Sequence, residues 1–172
     1  VYVTGGAGNA GALLILTVKY DSLGNLVWAK TLDAGMGSDL GSSIAVDTSG
    51  NIYVTGACSG GALSTTDYLT IKYDQNGTLL WARKYDGPGN GLDMAFDIAL
   101  DSSDNAVVTG WSVGIPGTNS DYATVKYDAN GNELWVMRYS GPGGPIYEDK
   151  ALALAIDSSG NVFVTGQSYR AS

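Results

Sequence analysis

Histidine is absent from this chain of 172 residues. Its absence removes the commonest general base and the commonest metal ligand, so no Ser-His-Asp or Cys-His arrangement can form within the chain. Cysteine occurs once, as Cys58, and no intrachain disulfide is possible. That fits a reducing compartment, and equally a bacterial secreted protein held together by its core. With no basic neighbour in sequence, Cys58 reads as a small buried residue. Basic residues are few: 9 Lys and Arg face 17 Asp and Glu, for a net charge of −8. Such a surface repels phosphate backbones and anionic membranes, which argues against nucleic acid as a partner. Long apolar runs are also missing. Apolar runs such as Ala12-Leu13-Leu14-Ile15-Leu16 are strand-sized, far short of the ~20 residues that span a bilayer. No membrane insertion is expected. No segment combines helical periodicity with caps. Neither a methionine nor a signal peptide opens the chain, which starts in the middle of a repeat. The simplest expectation is a piece of something longer.

What the chain has is internal repetition. Val3-Thr4-Gly5 returns as Val54-Thr55-Gly56, Val108-Thr109-Gly110 and Val164-Thr165-Gly166, with the glycines 51, 54 and 56 residues apart. Lys19-Tyr20-Asp21, Lys72-Tyr73-Asp74 and Lys126-Tyr127-Asp128 keep the same beat, as do Trp28, Trp81 and Trp135. A period of this length marks an array of like supersecondary units. Hydrophobic residues make up 44% of the chain, so it can fold, and 25 glycines point to many tight turns.

The second repeat shows the unit. Ser43–Asp47 and Asn51–Thr55 read as strands A and B, joined by the turn Asp47-Thr48-Ser49-Gly50. Asp67–Tyr73 and Leu79–Tyr85 read as strands C and D, joined by Asp74-Gln75-Asn76-Gly77. Small residues sit mid-strand in A (Ala45, Ala99, Ala155) and tryptophan sits in D. That taper suits a β-propeller, whose four-stranded antiparallel blades crowd at the centre and splay outside. An Ig-like sandwich is the main rival, but it gives no reason for strict repetition. Antiparallel order puts the short A–B and C–D turns at one end and the long B–C and D–A loops at the other. Strand A occurs three times, B four, C three and D three. The whole chain, 1–172, reads as one all-β propeller domain with units near 1–38, 39–92 and 93–148 and a partial unit at 149–172. Three repeats make an arc, since rings need at least ~4 blades. Further blades of the parent chain, or a second copy, are expected to close the ring.

The tracts Asp121–Trp135 and Ala155–Gly166 resemble the bacterial β-propeller repeat known as SBBP. The resemblance extends over essentially the whole chain. It implies a propeller from large secreted or cell-surface bacterial proteins, with no established catalytic residues to carry over. The A–B pair is also similar to NHL repeats, and the Asp-x-x-Gly-x-x-Leu-Trp run faintly resembles the quinoprotein propeller repeat. Two departures stand out. Leu14-Ile15 replaces Asp67-Tyr68 and Asp121-Tyr122, and Asp104 replaces the turn glycine seen as Gly50 and Gly160, a swap that aspartate tolerates.

Candidate sites divide into recurring and irregular residues. Asp21, Asp47, Asp74, Asp101, Asp128 and Asp157 suit Asx-type turns better than a calcium loop, because the spaced ligands and closing Glu of an EF-hand are missing. Asp39, Asp93 and Asp149 recur eight residues before the strand-A Asp, in the D–A loops. They are weak candidates for Ca²⁺, since such residues more often hold their own loop by accepting backbone N–H bonds. Lys19, Lys72 and Lys126 are expected to cover apolar surface with their stems. Trp111 does not recur: Gly6, Ala57 and Gln167 hold its place. An aromatic opening a long loop suits glycan or protein contact, against a reading of local packing. Tyr147 and Glu148, in the longest D–A loop, form a second irregular pair. No catalytic constellation and no required cofactor emerge. The expected function is a non-catalytic extracellular scaffold or recognition module that binds glycan or protein through the B–C and D–A loop face. The alternatives are a propeller domain of a secreted glycosidase, lyase or quinoprotein-like enzyme with its catalytic groups in blades not present here, and a purely structural assembly subunit.

Overall fold

The computed structural model describes residues 1–9, 12–34, 37–59, 65–114, 119–142 and 147–169. Parts of the long B–C and D–A connections, at 10–11, 35–36, 60–64, 115–118 and 143–146, lie outside them. Among the described residues, thirteen strands form four antiparallel sheets. The first holds β1 (Tyr2–Asn9), β2 (Ala12–Tyr20) and β3 (Leu26–Leu32). The second holds β4 (Leu40–Val46), β5 (Ile52–Ser59), β6 (Thr66–Tyr73) and β7 (Leu79–Tyr85). The third holds β8 (Asp93–Leu100), β9 (Ala106–Val113), β10 (Ser120–Tyr127) and β11 (Glu133–Tyr139). The last holds β12 (Asp149–Ile156) and β13 (Val162–Ser168). Strands are neighbours in chain order, as meandering blades require. The sheets are propeller blades in an arc that does not close.

The A strands β4, β8 and β12 lie side by side at the inner edge. Asp97 ties all three: one carboxylate oxygen accepts from Ser43 Oγ at 2.9 Å, the other from Leu154 N at 2.9 Å. The Val-Thr-Gly motif has a packing reason. A β-carbon at Gly56, Gly110 or Gly166 would run into the carbonyl of Leu40, Met94 or Lys150 on the A strand beside it. Within the motif, Thr55 Oγ1 donates to Leu69 O at 3.2 Å, and Thr109 Oγ1 lies 2.9 Å from Thr124 Oγ1, so these buried hydroxyls find partners on the C strand.

Two cores lie between consecutive sheets. Ile15, Ile52, Val54, Leu69, Ile71 and Tyr73 fill the first junction; Tyr53, Tyr68, Trp81, Ile98, Val108 and Val125 fill the second. The tryptophans stack at the outside, with Trp81 edge-on to Tyr53 at 5.8 Å. A recurring latch joins the first sheet to the second and the second to the third. Lys19 Nζ and Trp28 Nε1 both donate to Gln75 O, at 2.9 and 3.2 Å; Lys72 Nζ and Trp81 Nε1 both donate to Ala129 O, at 3.1 and 3.2 Å. Lys19 and Lys72 do cover aromatic surface, lying 5.5 Å from the Tyr2 and 4.5 Å from the Tyr53 ring centre, while Lys126 pairs with Asp101. Their carbonyl contacts to the neighbouring blade add a role that repetition alone does not reveal. Asp104 takes a left-handed φ of 59° in place of glycine, as its type allows.

Candidate functional site

The turn end of the arc is structurally committed. Asp47 Oδ1 accepts from the backbone N–H of Ser49 and Asn51, at 3.0 and 2.8 Å, and Oδ2 accepts from Asn51 Nδ2 at 2.7 Å. The same Asx-type network recurs at Asp21, Asp101, Asp128 and Asp157. Asp74 uses the N–H groups of Asn76 and Thr78. These donors stabilise the charged form. The side-chain amides of Asn25, Asn132 and Asn161, followed by backbone N–H groups, hold Asp21, Asp128 and Asp157 below the ordinary carboxylate range. Burial works the other way at Asp101, but the Lys126 ammonium at 2.7 Å and the Asn105 donors outweigh it and bring the carboxyl to about 2.

Asp93 and Asp149 are not loop residues, because the ladders extend to them: they open β8 and β12, and Asp39 immediately precedes β4; all three are buried beneath the opposite end. Asp39 accepts from Ala34 N at 2.7 Å and Ser59 N at 3.2 Å; Asp93 accepts from Gly87 N at 2.8 Å and Val113 N at 3.1 Å; Asp149 accepts from Gly141 N at 2.7 Å. Each carboxylate pins the start of its own D–A loop, and the first two also hold a residue of the B–C side. Asp93 further lies with Asp67 and Asp86 in a group whose carboxylate oxygens are within 4.8 Å of one another. Burial, with Asp86 nearby, pushes Asp93 and Asp67 upward. Both Asp93 oxygens are already engaged by backbone N–H groups. Cys58 is buried, and burial raises its thiol pKa.

The irregular residues converge. Trp111 does not open a loop; it lies inside β9, opposite Met94 and Tyr122 on the flanking strands. The strand runs on to Val113, because the β9 ladder with β10 continues to Val113 and Ser120. The indole is half-buried at the seam between the third and last sheets, with Lys150 Nζ 5.4 Å from the ring centre. Lys150 pairs with Glu148 at 2.8 Å. Glu148 and Tyr147 in turn line an open depression of about 460 Å³ with Asn119 and Tyr169. Tyr169 N donates to Glu148 O at 3.2 Å, which joins the end of β13 to the D–A loop. Trp111, Tyr147 and Glu148 therefore belong to one neighbourhood on the loop face. Sequence reasoning missed Lys150 and Tyr169. Both carry the signal that marked Trp111: Lys150 stands where Leu40 and Met94 stand, and Tyr169 where Gly8, Ser59 and Val113 stand.

Residues 35–57, the end of a D–A loop with strands A and B, match the family described as Beta-propeller repeat, SBBP. One repeat of the chain, residues 35–57, thus matches the SBBP family. It is also 31% identical over 117 residues to Regulatory protein FlaEY of Caulobacter vibrioides, covering 60% of this chain and 12% of that protein. An uncharacterized WD repeat-containing protein of Acanthamoeba polyphaga mimivirus is 29% identical over 116 residues, 58% of this chain and 8% of the viral protein. The chain thus spans about a tenth of the length of these curated relatives. Their names describe a repeat protein and a regulatory protein. Among the described residues, no helix is long and apolar enough to cross a membrane.

Proposed function

We propose that this SBBP arc is a non-catalytic recognition module that holds a glycan, or a loop of a partner protein, in the depression lined by Tyr147, Glu148, Asn119 and Tyr169. One observation carries the reading: side chains of three distant segments, at 119, 147–148 and 169, meet in a single depression, while the recurring acids are spent on backbone N–H groups. At about 460 Å³ the depression lies within the usual range for ligand sites, roughly 300–1,000 Å³. Two tyrosines offer apolar faces and hydroxyls, and the carboxylate and amide offer directional polar contacts. With Glu148 in the wall and a net charge of −8, the ligand is neutral or cationic. The relatives' names, one a regulatory protein and one a WD-repeat protein, support binding over chemistry. The reading requires no cofactor. A secreted or cell-surface setting follows from the SBBP resemblance.

The experiment is an array of neutral and amino-bearing oligosaccharides, probed with the native chain and with Tyr147→Ala and Tyr169→Ala. Both tyrosines are solvent-accessible, so the fold should survive. Selective retention of one sugar class by the native chain, lost in both variants, is expected. Retention that survives both substitutions would overturn this location.

A further inference from the structure

On the loop face, the seam between the third and last sheets keeps the backbone of the earlier seams and changes the side chains. Tyr169 N donates to Glu148 O at 3.2 Å, and one repeat earlier Val113 N donates to Leu92 O at 3.1 Å. The buried aspartate that follows is kept too, as Asp93 and Asp149. Its neighbours change together. Tyr147 stands where Gly37 and Gly91 stand, Glu148 where Ser38 and Leu92 stand, and Lys150 where Leu40 and Met94 stand. Across the seam Trp111 replaces Gly6 and Ala57. At the first seam the same two positions meet as glycine and leucine: a β-carbon at Gly6 would lie 3.1 Å from Leu40 Cδ1. The loop keeps its shape in the earlier repeats without a tyrosine, a carboxylate or an ammonium, so folding does not account for these groups at 147–150.

Their arrangement shows which chemistry the seam accepts. Lys150 Nζ lies 5.4 Å from the Trp111 ring centre and 2.8 Å from Glu148 Oε2. An ammonium is thus already held between an aromatic ring and a carboxylate, two partners that favour a cation. The pair is open to solvent, with the Lys150 and Glu148 side chains 30% and 51% exposed. Ion pairs of this kind are weak and screened by salt, so this one opens at small cost. Glu148 and Tyr147 both line the depression of about 460 Å³, which puts the carboxylate within reach of a ligand lying there. An anionic ligand would meet Glu148 and a chain of net charge −8. A neutral one would desolvate the carboxylate without giving it a charged partner.

Resting on the recognition reading above, we propose that the ligand is an amino sugar whose ammonium replaces Lys150 on the Glu148 carboxylate. Lys150 is a placeholder: it neutralises Glu148 while the depression is empty and yields the carboxylate when the ligand arrives, its own ammonium staying at the Trp111 ring. One ion pair is exchanged for another, and the ligand adds the contact of its ring with Tyr147. A sugar amine is fixed to its ring, so the ring rests on the tyrosine while the amine meets the adjacent carboxylate. A lysine of a partner protein carries its amine on a flexible stem and loses more rotamer freedom in making the same pair.

Calorimetric titration with a glucosamine disaccharide and with its N-acetylated form tests the assignment, because the two share a ring framework and differ in charge. At low salt and slightly acidic pH, the free amine should bind at least about tenfold tighter, and the gap should close as salt is added. Lys150→Met, which restores the residue of the preceding repeat, removes the competitor and should tighten amine binding about two- to fivefold. Glu148→Gln should erase the preference. Both variants change exposed side chains, and their circular dichroism should match the native chain. Equal affinity for the two sugars, lost for both in Tyr147→Ala, would overturn the ammonium assignment and leave the depression as the recognition site. Binding of neither sugar, while another class on the array is retained through Tyr147 and Tyr169, would do the same. Weaker amine binding by Lys150→Met, or a preference that survives Glu148→Gln, would also overturn it. A lysine peptide that binds more tightly than the glucosamine disaccharide would overturn the sugar assignment and give the amine to a protein.

Discussion

Replacing Gly110 by alanine adds one methyl group to the molecule, and two effects of opposite sign compete. Gly110 is not among the glycines with positive φ. Backbone preference alone therefore favours alanine in a strand by roughly 0.5–1 kcal/mol. Packing opposes it. The new β-carbon would overlap the Met94 carbonyl and lie 2.8 Å from the Tyr68 hydroxyl oxygen and 2.9 Å from Ala95 Cα. None of these can retreat freely. Met94 and Ala95 pair with Trp111 and Gly110 in the β8–β9 ladder, and Tyr68 is held in the core by its bond to Ala123 O. Overpacking of this kind costs about 1–3 kcal/mol. Displacing the strand carbonyl puts a ladder bond worth about 1 kcal/mol at risk. Packing wins, and we expect a net loss of about 1–3 kcal/mol. Urea unfolding followed by tryptophan fluorescence reads it directly. With a slope of about 1–3 kcal/mol per molar, the midpoint should fall by about 1 M while the slope stays constant. An unchanged or higher midpoint would refute the packing account of the Val-Thr-Gly glycines, at Gly56 and Gly166 as well.

Two further outcomes follow from the same geometry. Trp81→Ala empties the outer part of the second core and removes the indole bond to Ala129 O. It should cost about 3–5 kcal/mol in the same assay, and a loss below about 1 kcal/mol would show that the latch between blades carries little. Acid should also destabilise the fold. The six turn aspartates have folded pKa values below the ordinary ~3.9, so the stability they add is complete above about pH 4 and is lost as pH falls through their folded values, about 2 for Asp101. Asp67 and Asp93 act with the opposite sign, because their pKa values are raised, but they are fewer. Melting temperatures that stay flat from about pH 4 down to about pH 2 would contradict this balance.

The parts of the molecule that were legible in sequence are those governed by local chemistry. A turn carboxylate meets N–H groups two and four residues on, so Asp47 and its five counterparts announce themselves, and even the glycine substitute Asp104 behaves as its type predicts. The strand count and order follow from the same turns and from the repeat period. The contacts that hold blades together were not legible, because their partners lie in the next repeat. Lys72 and Trp81 both reach Ala129 O some fifty residues away. Gly110 likewise shows its recurrence in sequence, while the carbonyl that demands it belongs to Met94 on another strand. At the candidate site, non-recurrence singled out Trp111, Tyr147 and Glu148. It did not say that they would meet. Their meeting depends on Lys150, which faces the Trp111 ring and pairs with Glu148, and on Tyr169 at the end of β13.

The central claim is that recognition occupies the irregular loop face and not the turn face. Amide hydrogen exchange, with and without the best-retained oligosaccharide of the array, tests it most directly. The account predicts slowed exchange at 147–149 and 167–169, with the turns at 47–51, 101–105 and 128–132 unchanged. Protection confined to those turns, or no protection at any site under saturating ligand, would contradict it.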